Sequence, residues 1–149
     1  MRRMAAPSAS GGPPCEAGCV TNLRSVLVVD DQAPFRSAAK AVLRRMEGFE
    51  LAGEAANGLE AIDLVDKLRP ALVLMDINMP EMNGIEATRR ITSVHPEVVV
   101  ILCSTYDVSD LPSGAAASGA AAYVNKEQLA ADTLRRLWED RGSGSFGSA

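Results

Sequence analysis

Five polar residues stand where apolar runs stop, and their types belong to one kind of chemistry. Asp30 and Asp31 follow Val26-Leu27-Val28-Val29, and Asp76 follows Ala71-Leu72-Val73-Leu74-Met75. Ser104 follows the run from Val98 to Cys103, and Lys126 lies just beyond the run from Ala120 to Val124. Three carboxylates brought into one crevice repel each other, which raises the pKa expected for at least one. A hard divalent cation such as Mg2+ removes that repulsion, because it prefers carboxylate and carbonyl oxygens and keeps several waters. A carboxylate beside such a cation can act as nucleophile toward a phosphoryl group and form an aspartyl phosphate. Transfer loads charge onto the equatorial oxygens, and the metal, the Lys126 ammonium and the Ser104 hydroxyl can compensate it from three directions. Singly, each residue has a plainer reading. Asp-Asp can open a helix or turn, Asp76 can initiate a turn with Asn78 and Pro80, Lys126 can start a solvated helix, and Ser104 can satisfy backbone. Their shared position in the fold is what favours the chemistry.

That position follows from the alternation of elements. Val26 to Val29 is a β-branched run that predicts a buried strand. Pro34 to Met46 keeps helical spacing through Phe35, Ala39, Val42, Leu43 and Met46; Pro34 pre-sets the first turn and Arg44 and Arg45 oppose the dipole at the last. Glu50 to Ala55 predicts a weaker second strand, Gly58 to Leu68 a helix stopped by Pro70, and Ala71 to Met75 a third strand. Gly84 to Val94 then predicts a helix, Val98 to Cys103 a fourth strand, Ala120 to Val124 a short fifth strand, and Lys126 to Trp138 a last helix. Strict β-α alternation with uniformly apolar strands implies a parallel sheet covered by helices on both faces. Five strands in this span predict an α/β, doubly wound, flavodoxin-like fold, whose ligands sit beyond the carboxyl ends of the strands. The polar residues fall at those ends.

With the motifs in order, the chain resembles the receiver domains of bacterial two-component response regulators. The matching stretches are Val28-Val29-Asp30-Asp31-Gln32, Met75-Asp76-Ile77-Asn78-Met79-Pro80 with Gly84, Leu102-Cys103-Ser104-Thr105-Tyr106, and Gly119 through Lys126. The resemblance spans roughly residues 24 to 140 and has the flavour of receivers that precede a helix-turn-helix output domain. It implies that Asp76 is the phospho-acceptor. Asp31 would bind Mg2+ directly, Asp30 mainly through water, and Asn78 through its backbone carbonyl, with Asp76 completing the metal set. Lys126 would pair with the phosphoryl oxygens, Ser104 would move toward them after transfer, and Tyr123 would hold the aromatic switch position. Implied partners are a sensor histidine kinase or phosphotransfer protein and a downstream protein target. Beyond its own Mg2+-dependent phosphorylation and dephosphorylation, no enzyme activity is expected.

Two departures from the family pattern stand out. Glu127 follows Lys126 where many receivers carry proline. The span from Leu111 to Gly119, where a fourth helix is expected, carries Pro112, Gly114 and Gly119 with almost no large apolar residue. That helix should be short or irregular, and residues 108 to 119 are expected to be the mobile part that repositions with Ser104 and Tyr123.

Composition limits the alternatives. Hydrophobic residues make up 47% of the 149 and the net charge is −4, so no basic field recommends nucleic acid as a partner. No apolar run is long enough to cross a bilayer and no secretory signal follows Arg2 and Arg3, which predicts a cytoplasmic protein. Residues 1 to 22, rich in Ala, Pro, Ser and Gly, predict a disordered tail; residues 23 to 140 form the receiver, and 141 to 149 a flexible tail with no output domain. Cys15 and Cys19 read as two thiols in that first tail, since one such pair supplies half a zinc set, and Cys103 reads as a small buried hydrophobe. The runner-up function is a receiver-like docking module that works without phosphorylation. A hydrolase on this fold is disfavoured, for the first strand leads into no Gly-rich phosphate loop.

Overall fold

The computed structural model describes residues 23–79, 81–105, 111, 114–140 and the backbone of 147–148. The expectations for residues 1–22, including Cys15 and Cys19, lie outside the described residues, as do those for Pro80, Tyr106 and, within the span expected to move, 108–110 and 112–113.

The chain alternates as expected. Strand β1 (Arg24–Val29) leads to helix α1 (Ala33–Arg44), β2 (Phe49–Ala55) to α2 (Gly58–Leu68), and β3 (Leu72–Asp76) to α3 (Gly84–Val94). Strands β4 (Val99–Ser104) and β5 (Ala122–Asn125) follow, then α4 (Ala131–Glu139) and a two-residue strand β6 (Gly147–Ser148). All pairings are parallel and the order is β2-β1-β3-β4-β5-β6. The first five are the doubly wound order; β6 extends the edge beyond β5 and is an addition to the five strands expected.

Period-two alternation sends each strand's side chains to two separate cores. Leu27, Val29, Val73, Met75, Val100, Leu102 and Tyr123 pack beneath α2 and α3, against Ala61, Val65, Ile85 and Ile91. Val26, Val28, Leu72, Leu74, Ile101, Cys103 and Val124 pack beneath α1 and α4, against Ala39, Leu43, Leu134 and Trp138. Because β1, β3 and β4 are covered on both faces, residues 26–29, 72–75 and 99–103 are apolar without interruption, which is why they read as continuous runs.

Helix starts are built locally. Asn57 accepts the Glu60 N–H at 2.8 Å while Glu60 accepts the Ala56 N–H at 2.8 Å, a reciprocal cap on α2. Asn83 caps α3 through the Glu86 N–H at 2.9 Å. Between β4 and β5, the described residues contain only one 3-10 turn, Ala116–Ser118, in keeping with the Gly and Pro of that span. The turn is tied to α3 by the Thr92 hydroxyl, which lies 2.9 Å from both the Thr88 and Ser118 carbonyl oxygens. Gly119 closes it at φ +97°, where a Cβ would collide with the Thr92 hydroxyl, so only glycine fits.

Most ends shift by one or two residues, and one element differs by more. The helix predicted from Lys126 breaks in two: a 3-10 turn at Lys126–Gln128, an extended Leu129 and Ala130, then α4 from Ala131. The side chain of Asn125 accepts the Glu127 N–H at 2.8 Å and caps that turn. A proline at 127 would have no N–H to give, so Glu127 permits the Asn125 cap that a proline would forbid.

Candidate functional site

The sheet order reverses between β1 and β3, and both strands end in carboxylates. Asp30 is fully buried one residue past β1, Asp76 is 4% exposed at the last position of β3, and Asp31 is exposed at the rim. One oxygen from each of the three lies within 4.8 Å of the others. Lys126 reaches across from the end of β5, placing its ammonium 2.6 Å from Asp30 Oδ2 and 3.3 Å from Asp76 Oδ1.

The backbone holds these groups in place. The Gln32 N–H donates to Asp30 Oδ1 at 2.8 Å, so both Asp30 oxygens are engaged. The Ile77 N–H donates to the Cys103 carbonyl at 3.0 Å and the Gly84 N–H to the Ile77 carbonyl at 2.8 Å, folding the loop after Asp76 back onto the sheet. A Cβ on Gly84 would collide with the Asp76 carbonyl oxygen and lie 2.8 Å from its carbon, so α3 can start this close to β3 only with glycine.

Electrostatics follow from one lysine serving several carboxylates. Burial, and then the charge of Asp30, push Asp76 up to about 6 against the opposing pull of Lys126. Burial alone would lower Lys126, but its hydrogen bond to Asp30 and the field of Asp76 more than offset that and raise it. The two directions agree once the distances are considered, because the ammonium sits nearer Asp30 and neutralises Asp76 incompletely. An all-oxygen set with surplus negative charge fits a hard divalent cation.

Ser104 is buried at the end of β4, in register with Asn125, and the Tyr123 hydroxyl donates to the Ser104 carbonyl at 3.0 Å. Tyr123 is fully buried, its ring within the α2–α3 core. The sequence-derived residues Asp30, Asp31, Asp76, Ser104, Tyr123 and Lys126 therefore gather at one edge, with Asn78 exposed two residues past Asp76. Two others escaped sequence reasoning. Arg36 donates to the Asp30 carbonyl at 2.6 Å and pairs with Glu54 at 3.1 Å, and Phe35 lies against Lys126. Both were read as residues of an ordinary helix; the available signal was their place in its first turn, directly after Asp30-Asp31.

A doubly wound parallel sheet with a carboxylate cluster and a lysine at its switch point defines a class of signalling domain. A family model for the response regulator receiver domain matches residues 26–138, and the chain belongs to that family. It is 40% identical over 103 residues to the chemotaxis protein CheY of Thermotoga maritima, covering 69% of this chain and 85% of that one. It is 36% identical over 113 residues to the transcriptional regulatory protein DegU of Brevibacillus brevis, covering 76% of this chain but 48% of DegU. The chain thus spans about half the length of some of the curated relatives it matches. Among solved structures, the response regulator domain of Thermotoga maritima CheB superposes with a TM-score of 0.70 at 28% identity, covering 80% of this chain and 96% of that one. A two-component response regulator of the LuxR family from an Aurantimonas species gives 0.74 at 26% identity, covering 84% and 89%.

Proposed function

We propose that the chain accepts a phosphoryl group on Asp76 from a sensor histidine kinase or phosphotransfer protein, in a Mg2+-dependent reaction, and signals through protein contacts. The observation that carries this reading is the buried Asp76 carboxylate with Lys126 at 3.3 Å and two further carboxylates within 4.8 Å. In the step itself an Asp76 oxygen forms a bond to phosphorus, the phosphorus–nitrogen bond of the donor phosphohistidine breaks, and the imidazole keeps the electron pair and takes a proton. Asp30, Asp31, Asp76 and the Asn78 carbonyl would hold Mg2+, which would supply the charge neutralisation that a crowded carboxylate needs to meet an anionic donor. Lys126 and the Ser104 hydroxyl then hold phosphoryl oxygens, and the move of Ser104 is passed to Tyr123 through their hydrogen bond.

Neither nucleic acid nor membrane is required by this reading. Arg89 and Arg90 are both paired with Glu86, at 2.8 and 3.0 Å, leaving no unpaired basic row on α3. Among the described residues no helix is long and apolar enough to cross a membrane. The test is labelling by a small phosphoramidate donor, read by intact mass. Addition of one phosphoryl group with Mg2+, lost in EDTA and in Asp76→Asn, is expected. An unlabelled parent protein, folded and supplied with Mg2+, would overturn the proposal in favour of a docking module that works without phosphorylation.

A further inference from the structure

The ammonium of Lys126 has a third neighbour besides its two carboxylates. It sits 4.4 Å from the centroid of the Phe35 ring, within the range in which a cation is attracted to an aromatic face. The lysine side chain is 15% exposed, so ring and carboxylates together replace most of its water. Phe35 is itself anchored: it lies in the first turn of α1, partly buried, and packs against the α1–α4 core.

These three partners differ in what the proposed reaction does to them. Phosphorylation turns the Asp76 carboxylate into a mixed anhydride, and a bound cation competes with Lys126 for Asp30. Both changes weaken the contacts that hold the ammonium in the resting protein. The aromatic face keeps its charge distribution through both steps. A lysine stem is flexible and its ammonium strongly hydrated, so a constant partner keeps it in place while the Asp76 carboxylate gives way to phosphoryl oxygens.

We infer that Phe35 is a positioning residue whose ring face keeps the Lys126 ammonium over the Asp30–Asp76 pair while its carboxylate partners change. The inference rests on the reading of Lys126 as a phosphoryl partner, but its first consequence is visible in the resting protein. The Cε methylene is bonded to the nitrogen that sits over the ring, so its proton resonances should be shifted upfield by the ring current.

The test compares Phe35→Leu, which keeps apolar bulk without a ring, with Phe35→Tyr, which keeps the ring; Phe35→Met replaces the leucine variant if that one loosens α1. Loss of the Lys126 upfield shift in Phe35→Leu and its retention in Phe35→Tyr are expected. Binding of beryllofluoride with Mg2+, a phosphoryl mimic, should weaken about five- to tenfold in Phe35→Leu and less than about twofold in Phe35→Tyr. An unshifted Lys126 in a parent protein that binds the mimic, or equal mimic affinity in Phe35→Leu, would overturn the positioning role alone. A parent that binds no mimic would sink the phosphotransfer reading and take the role of the ring in transfer with it.

Discussion

The two ends of the sheet are built on opposite plans. At the amino end, the Arg24 guanidinium lies 5.7 Å from the Phe49 ring and 5.5 Å from the Trp138 ring, which meet edge to face at 5.4 Å. One cation meets two aromatic faces there, and each contact stabilises the next. At the carboxyl end, two carboxylates share one lysine with a third close by, and burial and the Asp30 charge raise the pKa of Asp76. The same sheet joins the two. Favourable packing at one end, and in the two cores between, allows an unfavourable arrangement to persist at the other.

The contrast can be broken experimentally. The largest effect belongs to the amino end: Trp138→Ala should cost about 4 kcal/mol in a urea titration, yet label at the parent rate once folded. Slowed labelling by folded Trp138→Ala would show that the ends are not independent. Next is Gly84→Ala, where the added methyl meets the Asp76 carbonyl. A loss of about 3 kcal/mol together with impaired labelling is expected, both from one displaced turn. A variant as stable and as readily labelled as the parent would contradict the close approach.

Removing charge from the crowded end should do the reverse. The pKa of Asp76 is raised to about 6 from its ordinary 3.8, so the folded state binds that proton more tightly than the unfolded chain does. Stability then falls as pH rises from about 4 to about 6 and stays lower above, the opposite of a salt-bridged carboxylate. Asp76→Asn escapes this loss. In EDTA it should exceed the parent by about 2 kcal/mol at about pH 7.5 and match it near about pH 4, with the gap closing when Mg2+ is added. An equal gap at both pH values would place its origin elsewhere. The smallest effect concerns Glu81, which adopts φ +71° in the loop after Asp76. Glu81→Gly relieves the left-handed strain against a gain in chain entropy, for a net stabilisation of about 0.5 kcal/mol by thermal melting.

Much of this was legible in the sequence, for identifiable reasons. Helices α2 and α3 match their expected bounds because Asn57 and Asn83 cap them and Pro70 and the turn at His95 stop them. Strands β1, β3 and β4 were visible because burial on both faces leaves no polar interruption. Asp30, Asp76 and Ser104 stood out as candidates because each ends an apolar run. What was hidden depends on distances across the fold. Nothing in the periodicity from Lys126 to Trp138 shows the break at Leu129 and Ala130, for their apolar side chains suit either conformation. Likewise, Phe35 and Arg36 keep good helical spacing, and only the approach of β5 and β2 shows what they touch.

The collision that bars any side chain from position 84 also decides which parts of the domain can travel. Strand β3 has a neighbour on each side, and its last carbonyl is wedged against the first residue of α3, so the Asp76 backbone is hemmed in on three sides. It behaves as the stator of a small machine. On the proposed reading, the side that yields is the one formed by Ser104, at the end of β4. Adjustment to a phosphoryl group on Asp76 then falls to that side of the site, because position 84 has no room for even one methyl group against the Asp76 carbonyl.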